Sequence, residues 1–238
     1  AYLWWSESST NNSATATITP PGGGSSAYAA VLAGSAGSKC WPAASSRVFR
    51  ADVTASITTN GAYVINISSG GADVDGITLF IIYTDPTATY QGSLVIDDGA
   101  MTIQGGTQAH TMTGFTACGP STYATAFAMG GDMQNNVGGT HTTTLNGVPS
   151  VFPQNFWNYD EAVTTVTSGQ STSNFAFAPP VSDCWVFAVT GLYFQTTTCV
   201  TCTPSGVLTT IPGQTNVACG MCDGTASVTV SGGSSPYT

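Results

Sequence analysis

The cysteines give this sequence its sharpest chemical signature. Cys199 and Cys202 form one Cys-x-x-Cys pair, Cys219 and Cys222 form a second, and sixteen residues separate the two pairs. That spacing is typical of a zinc site built from two knuckles. In an oxidising compartment the same thiols form disulfides instead. The composition favours disulfides, although it leaves the pairing open, and the odd seventh cysteine is either a free thiol or a bond to another copy. The candidates are Cys40, Cys118, Cys184, Cys199, Cys202, Cys219 and Cys222.

Clustered acids are the second chemical candidate. The Asp-rich segment 73–76 lies just before the apolar run at 77–83 and Asp85 just after it, while a second segment, 97–99, lies at the end of the neighbouring predicted strand; both segments end in Asp-Gly. Calcium takes six to eight oxygen ligands from carboxylates and carbonyls on loops, so loops from adjacent strands could combine into one site. Asp-Gly pairs also form turns without any metal, because Asp caps its own backbone and Gly accepts positive φ. Turns are the favoured interpretation, and calcium is the alternative. The possible ligands are Asp73, Asp75, Asp97 and Asp98.

Catalytic groups are scarce. His110 and His141 are the only histidines, and both lie in Thr-rich stretches without a neighbouring acid. We expect both to be surface residues of strands or loops, because the partners that catalysis requires are not evident. Asp160 and Glu161 could pair for sugar hydrolysis, but adjacent residues of a strand point to opposite faces. The sequence therefore predicts no catalytic residues and a protein that is not an enzyme.

Tryptophans provide possible platforms for a sugar ring or for a subunit interface. Trp4, Trp5 and Trp157 are the candidates, with core packing as the alternative. Side chains alternate across a strand, so we expect one of Trp4 and Trp5 to face the core and the other to face outward. An outward tryptophan would mark a ligand site or a contact between copies.

Composition restricts the class of protein. The chain of 238 residues has three basic and twelve acidic side chains, a net charge of -9 and only 6% charged residues. So few basic groups exclude nucleic acid as a partner. A surface rich in Ser, Thr, Gly and Ala is typical of an exported protein. No run of about eighteen apolar residues is present, so we predict no membrane insertion.

Strand signals outnumber helix signals along the whole chain. The strand candidates are short, rich in β-branched and aromatic residues, and bounded by turn residues. Ile77–Tyr83 and Trp185–Val189 are nearly continuous in apolar residues, which predicts central strands covered on both faces. The fold class expected is all-β, an antiparallel β-sandwich or jelly roll. The predicted strands are Tyr2–Ser6, Ala14–Ile18, Val48–Thr54, Ala62–Ile67, Gly76–Tyr83, Ser93–Asp97, Thr122–Met129, Phe175–Pro179 and Trp185–Phe194.

Two family resemblances accompany these patterns. Residues 1–200 resemble the adhesin-like secreted domain (DUF3344-like) of Bacteroidetes cell-surface proteins, through Ala1–Ser6, Pro20–Gly22, Gly76–Pro86, Val95–Gly99, Phe156–Asp160 and Asp183–Val186. Residues 201–238 resemble a linker and the start of an SprB-type repeat. The similarity lies in Cys219, Asp223-Gly224, the alternating run Thr225–Ser231 and the ending Gly-Gly-Ser-Ser-Pro-Tyr. The resemblance implies a β-sandwich domain followed by a partial, small Ig-like β-module.

These observations predict a non-catalytic extracellular protein without a cofactor. It would be a fragment of a surface adhesin or the repeating subunit of an extracellular filament. Its partners would be copies of itself or other surface proteins. Strand addition is one way in which copies would join, since open sheet edges accept a neighbouring strand. The alternative function is a carbohydrate-binding adhesion module at the tip of a longer stalk, which would present an exposed tryptophan to glycans.

Overall fold

The described residues fold largely into antiparallel β-structure, which confirms the predicted fold class. A computed structural model describes residues 1–39, 45–70, 73–117, 119–133, 139–153 and 155–196. One short 3-10 helix, Thr54–Ser56, accompanies the strands in these ranges. The predicted second module at 201–238 lies outside the described residues. The strands are β1 (Tyr2–Ser8), β2 (Thr15–Thr19), β3 (Ser26–Ala29), β4 (Val31–Gly37), β5 (Ser45–Asp52), β6 (Val64–Ser68), β7 (Asp73–Phe80), β8 (Gln91–Gln104), β9 (Gln108–Met112), β10 (Ser121–Gly131), β11 (Thr142–Leu145), β12 (Val148–Val151), β13 (Trp157–Val166), β14 (Ser173–Ala178) and β15 (Cys184–Thr196).

The strands form four sheets that stack as layers. Sheet 1 has the order β3-β2-β6, sheet 2 the order β4-β5-β1-β7, sheet 3 the order β13-β10-β15-β8 and sheet 4 the order β12-β11-β14-β9. Every strand pairing among them is antiparallel. Sheets 1 and 2 come from the amino-terminal half and sheets 3 and 4 from the remainder. The molecule is therefore two β-sandwiches packed face to face.

Three hydrophobic cores separate the four layers. The first core lies between sheets 1 and 2 and contains Leu3, Trp5 and Phe49. The second lies between sheets 2 and 3, and the third and largest fills the space between sheets 3 and 4 around Trp185 and Phe177. Both inner sheets are thus covered on both faces, which is the usual setting of strands without a polar face.

The double covering of sheet 2 corrects the prediction for Trp4 and Trp5. The two side chains do alternate: Trp5 enters the first core and Trp4 enters the second. However, Trp4 is 2% exposed and Trp5 is 0% exposed. The expectation that one of them faces outward was wrong, because a second sheet covers the face that a single sandwich would leave to solvent. Neither indole is accessible to a sugar ring.

The two apolar runs that predicted central strands have different positions. β15 lies between β10 and β8 and is buried along most of its length, as expected. β7 is instead an edge strand of sheet 2, paired only with β1 among the described strands. It ends at Phe80, and Ile81, Ile82 and Tyr83 follow with half or more of their surface exposed. The predicted covering of both faces therefore holds within the strand, where Ile77 and Leu79 pack on one core and Phe80 on another, and fails for residues 81–83.

Sheets 2 and 3 approach each other most closely where β4 meets β8. The pairing of β4 with β5 shifts between Leu32 and Gly34, and the pairing of β8 with β15 shifts at Gly99-Ala100. A Cβ atom placed on Gly34 would lie 2.6 Å from the carbonyl carbon of Gly99. Backbone atoms cannot move aside as a side chain can, so a residue without a side chain is required there.

We expect Gly34→Ala to destabilise the fold by about 1–3 kcal/mol, because the added methyl forces the two inner sheets apart. Gly37→Ala is the matched control, since Gly37 lies in the same strand with nothing within 4 Å of its Cβ position. Urea unfolding measures both. Equal midpoints for the two variants would show that sheets 2 and 3 do not pack as described.

Candidate functional site

Asp98 links the two inner sheets. Its Oδ2 atom accepts a hydrogen bond from Trp4 Nε1 at 3.0 Å and a second from the Arg50 guanidinium at 2.7 Å. The guanidinium carbon of Arg50 also lies 6.0 Å from the centre of the Tyr2 ring, within cation–π range. Because Asp98 belongs to sheet 3 and its partners belong to sheet 2, the acid ties one sandwich to the other.

Asp97 points to the opposite face of β8. Its Oδ2 atom lies 2.8 Å from Nε2 of His110, in β9 of sheet 4. Both groups are about one-third exposed and line a cleft of about 190 Å³ that also contains Thr190. The 97–99 segment was predicted to end a strand, but it lies inside the fourteen-residue strand β8. His110 is a surface residue, as expected.

Asp75 is a buried acid at a strand irregularity. The β1–β7 pairing shifts between Ser6 and Glu7, so Asp75 has no direct partner in β1. Its Oδ2 atom accepts a hydrogen bond from Ser6 Oγ at 2.6 Å. Burial raises the pKa of Asp75 to about 6, the Ser6 hydrogen bond opposes this rise, and the nearby Asp73 carboxylate adds to it. The 73–76 segment is therefore part of a strand and not the predicted turn.

The four predicted calcium ligands do not converge. Asp97 and Asp98 point to opposite faces of β8, while Asp75 bonds to Ser6 on β1. In the described ranges, no three His, Cys, Asp or Glu side chains are grouped so that they could hold a metal ion. Turn chemistry does occur at Asp85. Its Oδ1 atom accepts hydrogen bonds from Thr87 Oγ1 at 2.6 Å and from the Thr87 amide at 2.8 Å, and these two bonds lower the pKa of Asp85.

His141 is buried, which corrects its expected surface position. Its Nε2 atom lies 2.8 Å from Oδ2 of Asp183, and both side chains are 0% exposed. The imidazole packs edge-on against Trp185, with ring centres 5.3 Å apart. Burial lowers the pKa of His141, and the Asp183 carboxylate opposes that shift. Sequence could not reveal this pair, because forty-two positions separate its members. Full burial keeps the pair away from any substrate in solvent.

The remaining predicted groups have structural surroundings. Asp160 is buried and accepts hydrogen bonds from Thr143 Oγ1 at 2.8 Å and Ser150 Oγ at 3.0 Å. Glu161 is exposed, so these two acids face opposite ways, as expected. Cys184 is buried and disulfide-bonded. The other candidates, Cys40, Cys118, Cys199, Cys202, Cys219 and Cys222, lie outside the described residues.

Trp157 is half-buried and does not form an open platform. Its ring contacts the Cβ position of Gly76, and its Nε1 atom donates a hydrogen bond to Thr78 Oγ1 at 2.8 Å. The large aromatic side chains that are exposed in the described ranges are tyrosines and one phenylalanine: Tyr83, Tyr90, Tyr123, Phe156 and Tyr159. Sequence analysis missed them, because strand alternation alone does not show where a covering sheet ends.

The two outermost sheet faces lack charge. Register and burial place the outward residues of sheet 1 at Thr15, Thr17, Thr19, Ala27, Ala29, Val64, Asn66 and Ser68. In sheet 4 they are Ala109, Thr111, Thr142, Thr144, Pro149, Val151, Asn174, Ala176 and Ala178. None of these described strand residues is ionisable. We call these surfaces the outer faces; they lie at opposite ends of the stack.

Comparison with known proteins reveals little similarity. No protein-family model matches the sequence, and no curated protein matches it. Two solved structures from infectious bursal disease virus are similar to this chain, one of the Gt strain and one of virus-derived T=1 particles. Each has 13% sequence identity and a TM-score of 0.25. The alignments cover 82% of this chain but only 57% and 53% of those chains, so this chain spans about half of their length.

Of the described residues, none forms a helix with the length and hydrophobicity needed to cross a membrane.

The raised pKa of Asp75 predicts how the free energy of unfolding depends on pH. Its pKa is about 6 in the folded chain against an ordinary 3.8, so the folded state holds the proton more tightly. The stabilisation from this shift is fully present below pH 3.8, the pKa in the unfolded chain. It is lost as the pH rises through about 6, the pKa in the folded chain. Asp75→Asn mimics the protonated form. The variant should therefore gain stability relative to the parent as pH rises from about 4 to about 7, by at most about 3 kcal/mol.

Urea unfolding at several pH values measures this difference. Asp73→Asn should reduce the pH dependence only in part, because burial is the largest cause of the raised pKa of Asp75 and the exposed Asp73 carboxylate is a smaller one. A difference between Asp75→Asn and the parent that stays constant with pH would contradict the burial described for Asp75.

The separation of the four acids predicts that calcium does not stabilise the fold. EDTA should leave the Tm unchanged within about 1 °C, since removal of a ligand that binds only the folded state lowers the Tm. A fall in Tm of about 5 °C that added calcium reverses would contradict this prediction, because it would show that the folded chain binds calcium.

Proposed function

We propose that this chain is a non-catalytic extracellular protein with a structural or adhesive role. It is either a fragment of a surface adhesin or the repeating subunit of an extracellular filament. The sequence resemblances to the adhesin-like domain and to the SprB-type repeat support this proposal. The structural observation that carries it is the absence of ionisable side chains from both outer faces of the described stack.

An uncharged face is suited to contact with another copy. Burying a charge in an interface costs free energy unless the charge is paired, whereas Thr, Ala and Asn bury without that cost. The outer faces are different surfaces at opposite ends of the molecule. A contact between sheet 1 of one copy and sheet 4 of the next is heterologous, and such contacts propagate into a fibre unless they close into a ring.

The ionisable groups of the described residues support a non-catalytic role. The His141–Asp183 pair is fully buried, and Asp160 is bonded to two hydroxyl groups inside the fold. The His110–Asp97 pair reaches solvent, but the hydroxyl in its cleft belongs to the buried Thr190. The exposed hydroxyl groups of Thr54 and Thr87 do bond to carboxylates, Asp52 and Asp85, but each acid lies two residues before its partner and also accepts that partner's amide hydrogen bond, which is local turn chemistry.

Extracellular location is supported by composition and by Cys184. Disulfides persist in oxidising surroundings and are uncommon in the cytosol, and Cys184 is disulfide-bonded. A charge-poor surface rich in hydroxyl groups agrees with the same location.

The carbohydrate-binding alternative was based on an exposed tryptophan, and the described tryptophans are buried or half-buried. Trp4, Trp5 and Trp185 are buried, and Trp157 is half-buried against Gly76 and Thr78. Exposed tyrosines remain as possible contacts for glycans. We therefore favour association between copies.

Electron microscopy of the native, untagged material should show regular fibres in which this chain repeats. Thr17→Glu places a charge at the centre of the sheet 1 outer face, and Ala176→Glu does so on sheet 4. Each should raise the concentration needed for assembly by about ten-fold or more, because the new carboxylate is desolvated in the contact. Val181→Glu is the control at an exposed position that belongs to none of the strands. Isolated particles of the parent at every concentration would exclude this assembly.

Strand addition by the carboxyl-terminal segment is a second route to assembly. Removal of residues 203–238 separates the two routes, since face-to-face stacking survives the deletion and strand addition does not. We expect fibres to persist. Their loss, with the urea midpoint of residues 1–196 unchanged, would identify that segment as the connector.

A further inference from the structure

An apolar patch lies uncovered at one end of sheet 3. Its members are Tyr90, Tyr123, Val163 and Tyr193, and we call them the end patch. Tyr90 is 42%, Tyr123 59% and Val163 77% exposed. Val163 and Tyr193 both lie opposite Thr125 in the sheet register, one on each side of it. The hydroxyl groups of Tyr90 and Tyr193 are hydrogen-bonded to each other. The four side chains therefore form one continuous surface.

The end patch is exposed because sheet 2 stops short of it. Phe80, the last residue of β7, stacks on Phe127 with ring centres 5.5 Å apart. Beyond Phe127, the same face of sheet 3 continues without cover from sheet 2. The loop that joins β7 to β8 adds Ile81, Ile82 and Tyr83, which are 50%, 51% and 83% exposed. Such a concentration of exposed apolar groups is uncommon on an isolated soluble domain and marks a contact surface.

The described chain ends beside the end patch. Thr196, the last residue of β15, lies opposite Gln91 in the register, and Gln91 directly follows Tyr90. Residues 197–238 therefore continue from the point where the patch begins. Asp223 is their only Asp, Glu, Lys, Arg or His side chain, so little charge needs desolvation when they pack on an apolar surface.

The segment 225–231 has the pattern that fits this surface. It reads Thr-Ala-Ser-Val-Thr-Val-Ser, in which Ala226, Val228 and Val230 alternate with hydroxyl residues. In an extended conformation the three apolar side chains point to one side and the hydroxyl groups to the other. Such a segment can cover an apolar surface and present hydroxyl groups to solvent.

We propose that residues 225–231 pack on the end patch of the same chain through Ala226, Val228 and Val230. Covalent attachment favours the same chain, because a tethered segment meets its own patch at an effective concentration far above that of another copy. The packing fixes the direction in which the carboxyl-terminal segment leaves the stack. It also leaves the outer faces as the surfaces through which copies meet.

Hydrogen exchange of the full chain tests this proposal. The amides of 225–231 should exchange at least about ten-fold more slowly than the intrinsic rate, because packing protects them. Val163→Asp should abolish most of this protection by placing a charge in the patch. Val181→Asp is the matched control, since Val181 is 80% exposed and packs beside Gly105, near the opposite end of β8. It should leave the protection unchanged.

Tyr123→Ser provides a second variant that adds no charge, and the urea midpoint shows whether each variant folds. Protection should be the same at low and high protein concentration. Unprotected amides in the parent chain would overturn the proposal, and so would protection that survives both patch variants. Protection that appears only at high concentration would also overturn it, because the occupant would then be the segment of another copy.

Discussion

The close contact between sheets 2 and 3 is the constraint on which the rest of the structure depends. Each inner sheet is already packed on an outer sheet, so a side chain in the region where the two inner sheets overlap must enter a core or find an internal partner. Glycine at position 34 lets the backbones of β4 and β8 approach, and Gly191 leaves room for the ring of Phe127. Asp98 then satisfies Trp4 and Arg50 across the same contact. Without this contact, Trp4 and Phe127 would expose apolar surface to water, and the chain would be two unconnected sandwiches.

The same constraint explains how a chain with so few charges uses them. Glu7 is buried and accepts a hydrogen bond from Trp5 Nε1 at 3.0 Å, and burial raises its pKa. Asp98, Asp160 and Asp183 likewise bond to partners inside the fold. Acids that serve as internal hydrogen-bond acceptors do not contribute to solubility, so hydroxyl and amide groups carry most of the surface. The uncharged outer faces follow from this distribution, and they connect the packing of the interior to the proposed association of copies.

Much of the architecture could be predicted from local patterns, but the layer arrangement could not. All nine predicted strands overlap observed ones, because alternation and β-branched residues are local signals. The six missed strands, β3, β4, β9, β11, β12 and β13, are rich in Ala, Ser, Gly, Thr or Asn, or contain Pro, and so lack a clear apolar period. The number of layers depends on which faces meet in space. For that reason one of Trp4 and Trp5 was expected at the surface, the His141–Asp183 pair was missed, and β7 was placed at the centre of a sheet instead of at its edge.

Sheet 2 ends at Phe80. Because it extends no further, both the loop that follows β7 and the end patch of sheet 3 are exposed, so the two features have one structural cause. The apolar run that begins in β7 continues past the strand into Ile81 and Ile82. Such runs usually belong to strands that are covered on both faces. Sheet 2 covers neither the loop nor the end patch, and the described chain leaves the fold at that point. A segment packed there would bury the apolar side chains that sheet 2 leaves exposed. It would also leave the outer faces free for contact with other copies.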